Sequence, residues 1–321
     1  MRYKITLIPL EPYLFGGDNT YGKIGDKENG TYITNSRYFP QQSAILGMLK
    51  KEIMTQSGAL TRKIRGEWVD SQKKEEAKKL AGVDKFNIFE STPQKFGSIK
   101  NISPIFLQKD GKDIFKVANI KKFQPKKIGD NYLLKNFTAK DDMFDNYEDK
   151  DGKQFKSVDI FKEVSQTLNQ KEASESSLYK KTSYKLEKGF SFGFYLECDF
   201  ALKSGIVTLG ADRSSFQMEV KLSNESLEFK SDYLLLLSDA YITVPLKAKE
   251  SCEFAITSEI SYAGIQNDFK GNQKQFKKSD KVYLYEKGSV IIGAEQRLLD
   301  NLNNKNLQQI GYNIYTKGET K

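Results

Sequence analysis

Phe190-Ser191-Phe192-Gly193-Phe194-Tyr195-Leu196-Glu197-Cys198-Asp199-Phe200 alternates apolar and polar residues along its whole length. A period of two puts every second side chain on one face, so this stretch predicts a long strand with one buried face. Downstream, Phe216, Met218, Val220 and Leu222 alternate with Gln217, Glu219 and Lys221 and predict a second such strand. Between them lies the turn Gly210-Ala211-Asp212-Arg213-Ser214-Ser215. Near the start, residues 3 to 9 set Tyr3, Ile5 and Leu7 in one phase and Lys4 and Thr6 in the other. Ile105-Phe106-Leu107 and Ile114-Phe115 flank Lys109-Asp110-Gly111-Lys112, and an Asp-Gly pair between apolar runs is a hairpin signal. Further strands are expected at 233–237, 252–256, 282–285 and 312–315.

Helical spacing occurs in three places. After a glycine-rich polar stretch from Gly16 to Asn35, Pro40 opens a run in which Ile45, Met48, Leu49, Glu52 and Ile53 share a face. Lys73, Lys74, Glu75, Glu76, Lys78, Lys79 and Leu80, stopped by Gly82, read as a short solvated helix. Leu298, Leu299 and Leu302 mark a late one. Strands and helices mix without regular alternation, which predicts an α+β fold with antiparallel sheets covered on one face. From about Lys121 to Ser177 the pattern weakens, with Lys121, Lys122, Lys126 and Lys127 on one side and an acidic cluster on the other. That segment is expected to be an insertion with mobile parts.

The chain has 321 residues, a length that suits two modest domains. Apolar residues make up 38%, enough for a real core. Lys and Arg number 51 against 42 Asp and Glu, and this excess favours polyanions or membrane surfaces as partners. No apolar run approaches membrane-spanning length, and Met1-Arg2-Tyr3-Lys4 leads into a strand pattern instead of a signal-peptide core. A soluble, cytoplasmic protein is therefore expected. Cys198 and Cys252 sit in apolar phase on predicted strands and read as small buried hydrophobes. There is no histidine, which removes His-dependent triads, imidazole acid–base chemistry near neutral pH and four-ligand zinc sites of the usual kind.

Three motifs resemble chemical sites and fail on their details. Gly17-Asp18-Asn19-Thr20-Tyr21-Gly22-Lys23 matches a phosphate-binding loop, but Ile24 stands where a magnesium-ligating hydroxyl is required. Gly16-Gly17-Asp18 is followed by Asn19 and lacks the neighbouring carboxylates that hold two metals. If Gly152 were the sixth position of a calcium loop, Tyr147 and Val158 would fill the first and twelfth, so the acidic run Asp145 to Asp151 reads as a solvated loop. No metal or other cofactor is expected.

Nucleic-acid binding is better served. Arg37-Tyr38-Phe39-Pro40-Gln41-Gln42-Ser43 puts a cation, a stacking ring and amide donors at a helix start, where free N–H groups attract phosphate. Packing and capping explain the same residues equally well. Arg213-Ser214-Ser215 is a second candidate, with an ordinary polar turn as its alternative. Lys270, Lys274, Lys277 and Lys278, interleaved with Phe269, Gln273, Gln275 and Phe276, combine cations for a backbone with rings for bases. A disordered basic loop is the plainer account.

The order of short motifs resembles the third subunit of the Cmr effector complex of type III-B CRISPR systems, in the Cas-five-like group of the RAMP superfamily. The pieces are Leu10-Glu11-Pro12-Tyr13-Leu14-Phe15-Gly16, Pro40-Gln41-Gln42-Ser43-Ala44-Ile45-Leu46-Gly47, and Leu178-Tyr179 followed by Tyr184-Lys185-Leu186-Glu187-Lys188-Gly189. Val207-Thr208-Leu209-Gly210-Ala211-Asp212-Arg213, Tyr233-Leu234-Leu235-Leu236-Leu237-Ser238, Gly288-Ser289-Val290 and Ile310-Gly311-Tyr312-Asn313 continue the series. Gly210-Ala211-Asp212 departs from the Gly-Gly-Glu usual in that family, and the middle third matches poorly.

The resemblance implies two ferredoxin-like (RRM-like) domains, at residues 1–120 and 178–321, separated by the 121–177 insertion. It also implies a non-catalytic, crRNA-binding role in antiviral defense. The subunit would hold the 5′ tag of the guide crRNA, touch the large polymerase/cyclase-like subunit and the backbone RAMP subunit, and meet target RNA only indirectly. The expected contacts are Arg37, Tyr38, Gln41, Gln42, Ser43, Gly210, Arg213, Ser214 and Ser215, with Lys270, Lys274, Lys277 and Lys278 added on charge alone. Alternatives are a crRNA-processing endoribonuclease of the same superfamily using Lys and Tyr, the equivalent subunit of a type III-A complex, and a structural subunit with acidic partners.

Overall fold

In the computed structural model, the strand Phe190–Cys198 lies between Arg2–Pro9 on one side and Phe106–Lys109 on the other. The structure describes residues 1–16, 32–60, 63–64, 67–68, 70–129, 131–138, 140, 142–169, 178–210, 212–248, 250–262, 265–270, 273–278 and 281–316. The main sheet runs in the order 154–155, 147–149, 112–116, 106–109, 190–198, 2–9, 214–222, 205–209, and Ile99–Ile102 also pairs with 190–198. Register keeps the apolar phases together. Ile5 is opposite Phe194 and Val220, and Leu7 is opposite Phe192 and Met218. A one-residue slip would turn this whole set to the other face.

The first helix, Gln42–Ser57, completes the core, with Ile45, Leu49 and Ile53 sealed from solvent in the same cluster as Ile5, Leu7, Phe192 and Phe194. Each such side chain contributes roughly 1.5–3 kcal/mol by leaving water. Gly193 interrupts the run of large residues for a packing reason. A Cβ there would meet the Gln108 side chain at 2.6 Å and the Phe106 ring at 2.7 Å. On that second face, Thr6 donates to Gln108, and Gln108 and Tyr195 both donate to Asp113.

The boundaries expected at 120 and 177 cut through this sheet, which takes strands from all three of the expected segments. Described residues of the 121–177 segment, expected as an insertion, contribute to the main sheet. The segment carries Tyr147–Asp149 and Gln154–Phe155 there and buries Tyr147 at 1% exposure. The acidic run is correspondingly not a solvated loop. Glu148 and Asp149 are buried, Asp149 Oδ1 accepting from the Asp151 and Lys153 amides and Glu148 pairing with Lys121. Buried carboxylates with partners are stable, and their charge masks the strand pattern in sequence.

The hairpin at Lys109–Lys112 forms as expected, with Asp110 and Gly111 at positive φ. The helix Ser71–Ala81 stops at Gly82, whose Cβ would lie 2.1 Å from the Lys95 carbonyl. A second sheet orders 254–256, 290–292, 234–236 and 315–316, backed by the helix Gln296–Leu302. The strand expected over 312–315 is only Tyr315–Thr316, because Gly311 and Asn313 adopt positive φ and bend the chain before it. Cys198 and Cys252 are buried free thiols, as expected. Apart from the parallel pairing of Leu178–Leu186 with Tyr32–Arg37, the strand pairs are antiparallel among the described residues. The architecture is thus α+β, with mainly antiparallel sheets.

Candidate nucleic-acid interface

The segment Glu11–Gly16 is where two of the expected site pieces meet. On one side it holds the turn after Leu209. Ser215 N–H donates to Glu11 Oε1 at 2.7 Å, Leu10 N–H donates to the Ser215 carbonyl at 3.0 Å, and Ser214 Oγ donates to the Pro12 carbonyl at 3.4 Å. Gly210, at φ 93°, comes so close that a Cβ would stand 2.5 Å from the Leu14 carbonyl oxygen. On its other side, Phe15 and Gly16 pair with Arg37 and Ser36, and Tyr13 exchanges backbone hydrogen bonds with Tyr184.

Arg37 and Tyr38 line a cavity of about 580 Å³ together with Phe39, Gln41, Tyr184, Asp239, Glu259, Ser261, Tyr283, Glu286 and Lys287. The Tyr38 ring stacks on Phe161 at 4.2 Å and tilts against Tyr184 at 4.7 Å. Arg37 Nη2 donates to the Ser261 carbonyl, while Nη1 is buried without a partner among the described residues. Tyr283 stands 61% exposed on the cavity wall.

The rest of the helix start is tied inward. Gln42 is buried, and its Nε2 donates to the carbonyls of Ser103 at 3.1 Å and Gly311 at 3.0 Å, which uses both amide hydrogens. Only glycine fits opposite it, since a Cβ on Gly311 would meet that nitrogen at 2.3 Å. The wholly buried Tyr312 donates to Gln41 Oε1 at 3.1 Å and also contacts the Ser43 hydroxyl. Among the described residues no side chain caps the helix, and no acidic residue occupies its first turn.

The floor of the cavity holds two charges that sequence reasoning missed. The Lys287 amide donates to Asp239 Oδ1 at 3.0 Å, and Lys287 Nζ donates to the Ile105 carbonyl and sits 3.9 Å over the Phe39 ring. Burial pushes the Asp239 carboxyl up and the Lys287 ammonium down, each against the pull of the other. Burial therefore outweighs their attraction. Glu286 is neutralised by Lys116 at 2.6 Å. The motif Gly288-Ser289-Val290 sits beside Lys287, but a lone lysine in sequence carries no signal of burial.

At the turn, Asp212 pairs with Lys181, Ser214 is buried, and Arg213 is exposed at φ 55° with no side-chain partner among the described residues. The third expected piece is an antiparallel hairpin, Ile265–Lys270 with Gln273–Lys278, in which Lys274 is opposite Phe269 and Lys277 is opposite Gln266. It continues from the paired strands Glu259–Tyr262 and Val282–Tyr285, which supply the cavity residues Glu259, Ser261 and Tyr283. Residues 17–23 of the loop-like glycine motif lie outside the described residues, apart from which Gly16 is a strand end. Among the described residues no group of three His, Cys, Asp or Glu could hold a metal, and no helix is long and apolar enough to cross a membrane.

No protein-family model and no curated protein matches the chain. A chain from the type III-B Cmr-beta complex bound to cognate target RNA shares its fold. The two align over 99% of the present chain and 96% of that one, with a TM-score of 0.52 and 16% sequence identity. A chain from the same kind of complex bound to cognate target RNA and AMPPnP, in state 1, aligns over the same shares with a TM-score of 0.51 and 16% identity.

Proposed function

We propose that this chain is a non-catalytic RNA-holding subunit of a type III-B CRISPR effector complex, equivalent to its third Cmr subunit, and that it grips the 5′ tag of the guide crRNA in the cytoplasm. In this reading the scaffold is a pair of ferredoxin-like modules. Its neighbours are the large polymerase-like subunit and the backbone RAMP subunit, and target RNA is reached only through the guide.

The observation that carries the reading is the segment 11–16, which pairs with Ser36 and Arg37 of a ring-lined cavity and also holds the turn on which Arg213 has no side-chain partner among the described residues. Single-stranded RNA needs both kinds of surface. The exposed Tyr283 ring offers a face for an unstacked base, a contact that contributes about 1–3 kcal/mol, and Tyr38 and Tyr184 line the same cavity. Arg213 offers a phosphate contact whose strength falls with salt. Gln42 then serves by fixing the helix start to Ser103 and Gly311, not by touching RNA. The fold shared with a chain of an RNA-bound Cmr-beta complex supports the same reading.

A metal-independent ribonuclease is the competing reading, because burial lowers the Lys287 pKa and Tyr184 lines the same cavity. Against it, Lys287 Nζ is held between the Ile105 carbonyl and the Phe39 ring. Two measurements decide. Complex purified without this chain is expected to lose guide RNA with an intact 5′ end, and normal retention refutes the proposal. Incubation of the isolated protein with repeat RNA is expected to leave it intact, whereas cleavage at one fixed site establishes the ribonuclease.

A further inference from the structure

The basic run that starts at Lys121 lines neither the Arg37 cavity nor the Arg213 turn. Its strands, Pro125–Ile128 and Asn131–Leu134, form a two-stranded antiparallel sheet in which Lys126 is opposite Leu133 and Ile128 is opposite Asn131. One face is docked on the protein. Tyr132 stacks on Phe254 at 5.0 Å and donates to Glu253, Lys127 pairs with Glu253 at 2.8 Å, and Leu134 packs against the Phe123 cluster.

Side chains alternate along a strand, so Lys126, Ile128, Asn131 and Leu133 project from the opposite face. All four are exposed, Ile128 at 50% and Leu133 at 59%. The Lys135 amide donates to the Gln124 carbonyl at 3.1 Å, which prolongs the ladder and adds exposed Lys135 beyond Leu133.

The lysines of this region are not equivalent. Lys121 is neutralised by Glu148, Lys127 by Glu253, and Lys122 lies 4.5 Å over the Phe123 ring. Lys126 and Lys135 alone keep their charge unpaired among the described lysines at this hairpin; Lys126 lies opposite Leu133 and two residues from Ile128, and Lys135 lies two residues beyond Leu133.

We propose that this outer face docks an acidic, aliphatic-bearing segment of another protein chain in the assembly. Branched aliphatic side chains have no π-face on which a base stacks, and two separated cations make no continuous track for a phosphate backbone. Exposed aliphatic side chains beside charge are instead part of the anatomy of a protein interface, and the unpaired lysines select a partner bearing carboxylates. The inference rests on the chain working inside an assembly, but not on its holding the RNA tag.

The test uses the native complex containing the full chain. Lysine acetylation is compared in the free chain and in the complex, and carbodiimide is used to join lysines to carboxylates in direct contact. Expected are protection of Lys126 and Lys135 on assembly and crosslinks from them to Asp or Glu of one other protein subunit. Ile128→Ser with Leu133→Ser is expected to leave the melting of the free chain unchanged and to weaken retention of that subunit by about tenfold. Unchanged acetylation, photocrosslinks from this face to RNA, carbodiimide crosslinks to a second copy of this chain, or full retention of the subunit by the double variant each overturn the proposal. Arg213→Ala separates the two readings: it is expected to reduce RNA retention and leave the Lys126 and Lys135 crosslinks in place.

Discussion

The helix start at Arg37–Ser43 and the turn at Gly210–Ser215 look alike in sequence, each a short run of polar residues beside an arginine, but the fold treats them differently. At the helix start the side chains are tied inward, Gln42 Nε2 to Ser103 and Gly311, Gln41 and Ser43 to Tyr312, and Arg37 Nη2 to Ser261, while Gln42 Oε1 and Arg37 Nη1 are buried without a partner among the described residues. At the turn the backbone and the two serines latch onto Glu11 and Pro12 while Arg213 is left in solvent. Polar character in sequence therefore does not measure availability. A side chain is free to bind only when the fold has not already satisfied it.

Substitutions can break this contrast. The largest effect is expected at Gly210→Ala, which combines a disfavoured positive φ with a Cβ 2.5 Å from the Leu14 carbonyl. It should cost about 2–4 kcal/mol in denaturant unfolding. Gln42→Ala comes next. It removes one donor from each of two carbonyls and should cost about 2 kcal/mol by the same measurement. A change near zero at Gln42 would mean the helix start is held by packing alone.

Arg213→Ala should change stability by less than about 0.5 kcal/mol, since the side chain has no partner among the described residues. In filter binding it should weaken RNA retention and reduce the salt slope by about one contact. Equal salt slopes for the variant and the parent chain would erase the distinction between the two regions.

The smallest effect at working pH concerns Tyr184, whose phenol is pushed by burial from 10.0 up to about 12. A raised folded pKa means the native state holds the proton more tightly than the unfolded chain does. Its stabilising contribution is present in full below pH 10 and is lost as pH rises through about 12. Tyrosinate absorbance followed beside unfolding checks this, and Tyr184→Phe should remove that part of the alkaline loss.

Where one face is buried, the residues themselves carried the architecture. The alternation at 190–200, the Asp110-Gly111 turn and the spacing of Ile45, Leu49 and Ile53 could be satisfied by few structures other than those observed. The reading weakened where burial and polarity disagree. Glu148 and Asp149 sit in a buried strand with local partners, so a charged run concealed an edge of the main sheet. The candidate site was legible only as separate pieces, because Arg37, Ser261 and Lys287 are far apart in the chain and share one cavity only after the sheets close.

By itself the sequence determined the α+β class, the strand phases, the buried cysteines and a basic chain without imidazole, because these follow from local periodicity and composition. The tertiary structure alone decided that the strand 2–9 lies between 190–198 and 214–222 in one sheet and that Gln42 is enclosed. It also decided that Arg213, Lys126 and Lys135 have no charge partner among the described residues. Pairing and desolvation depend on what the fold brings alongside each group, and residues distant in sequence supply it.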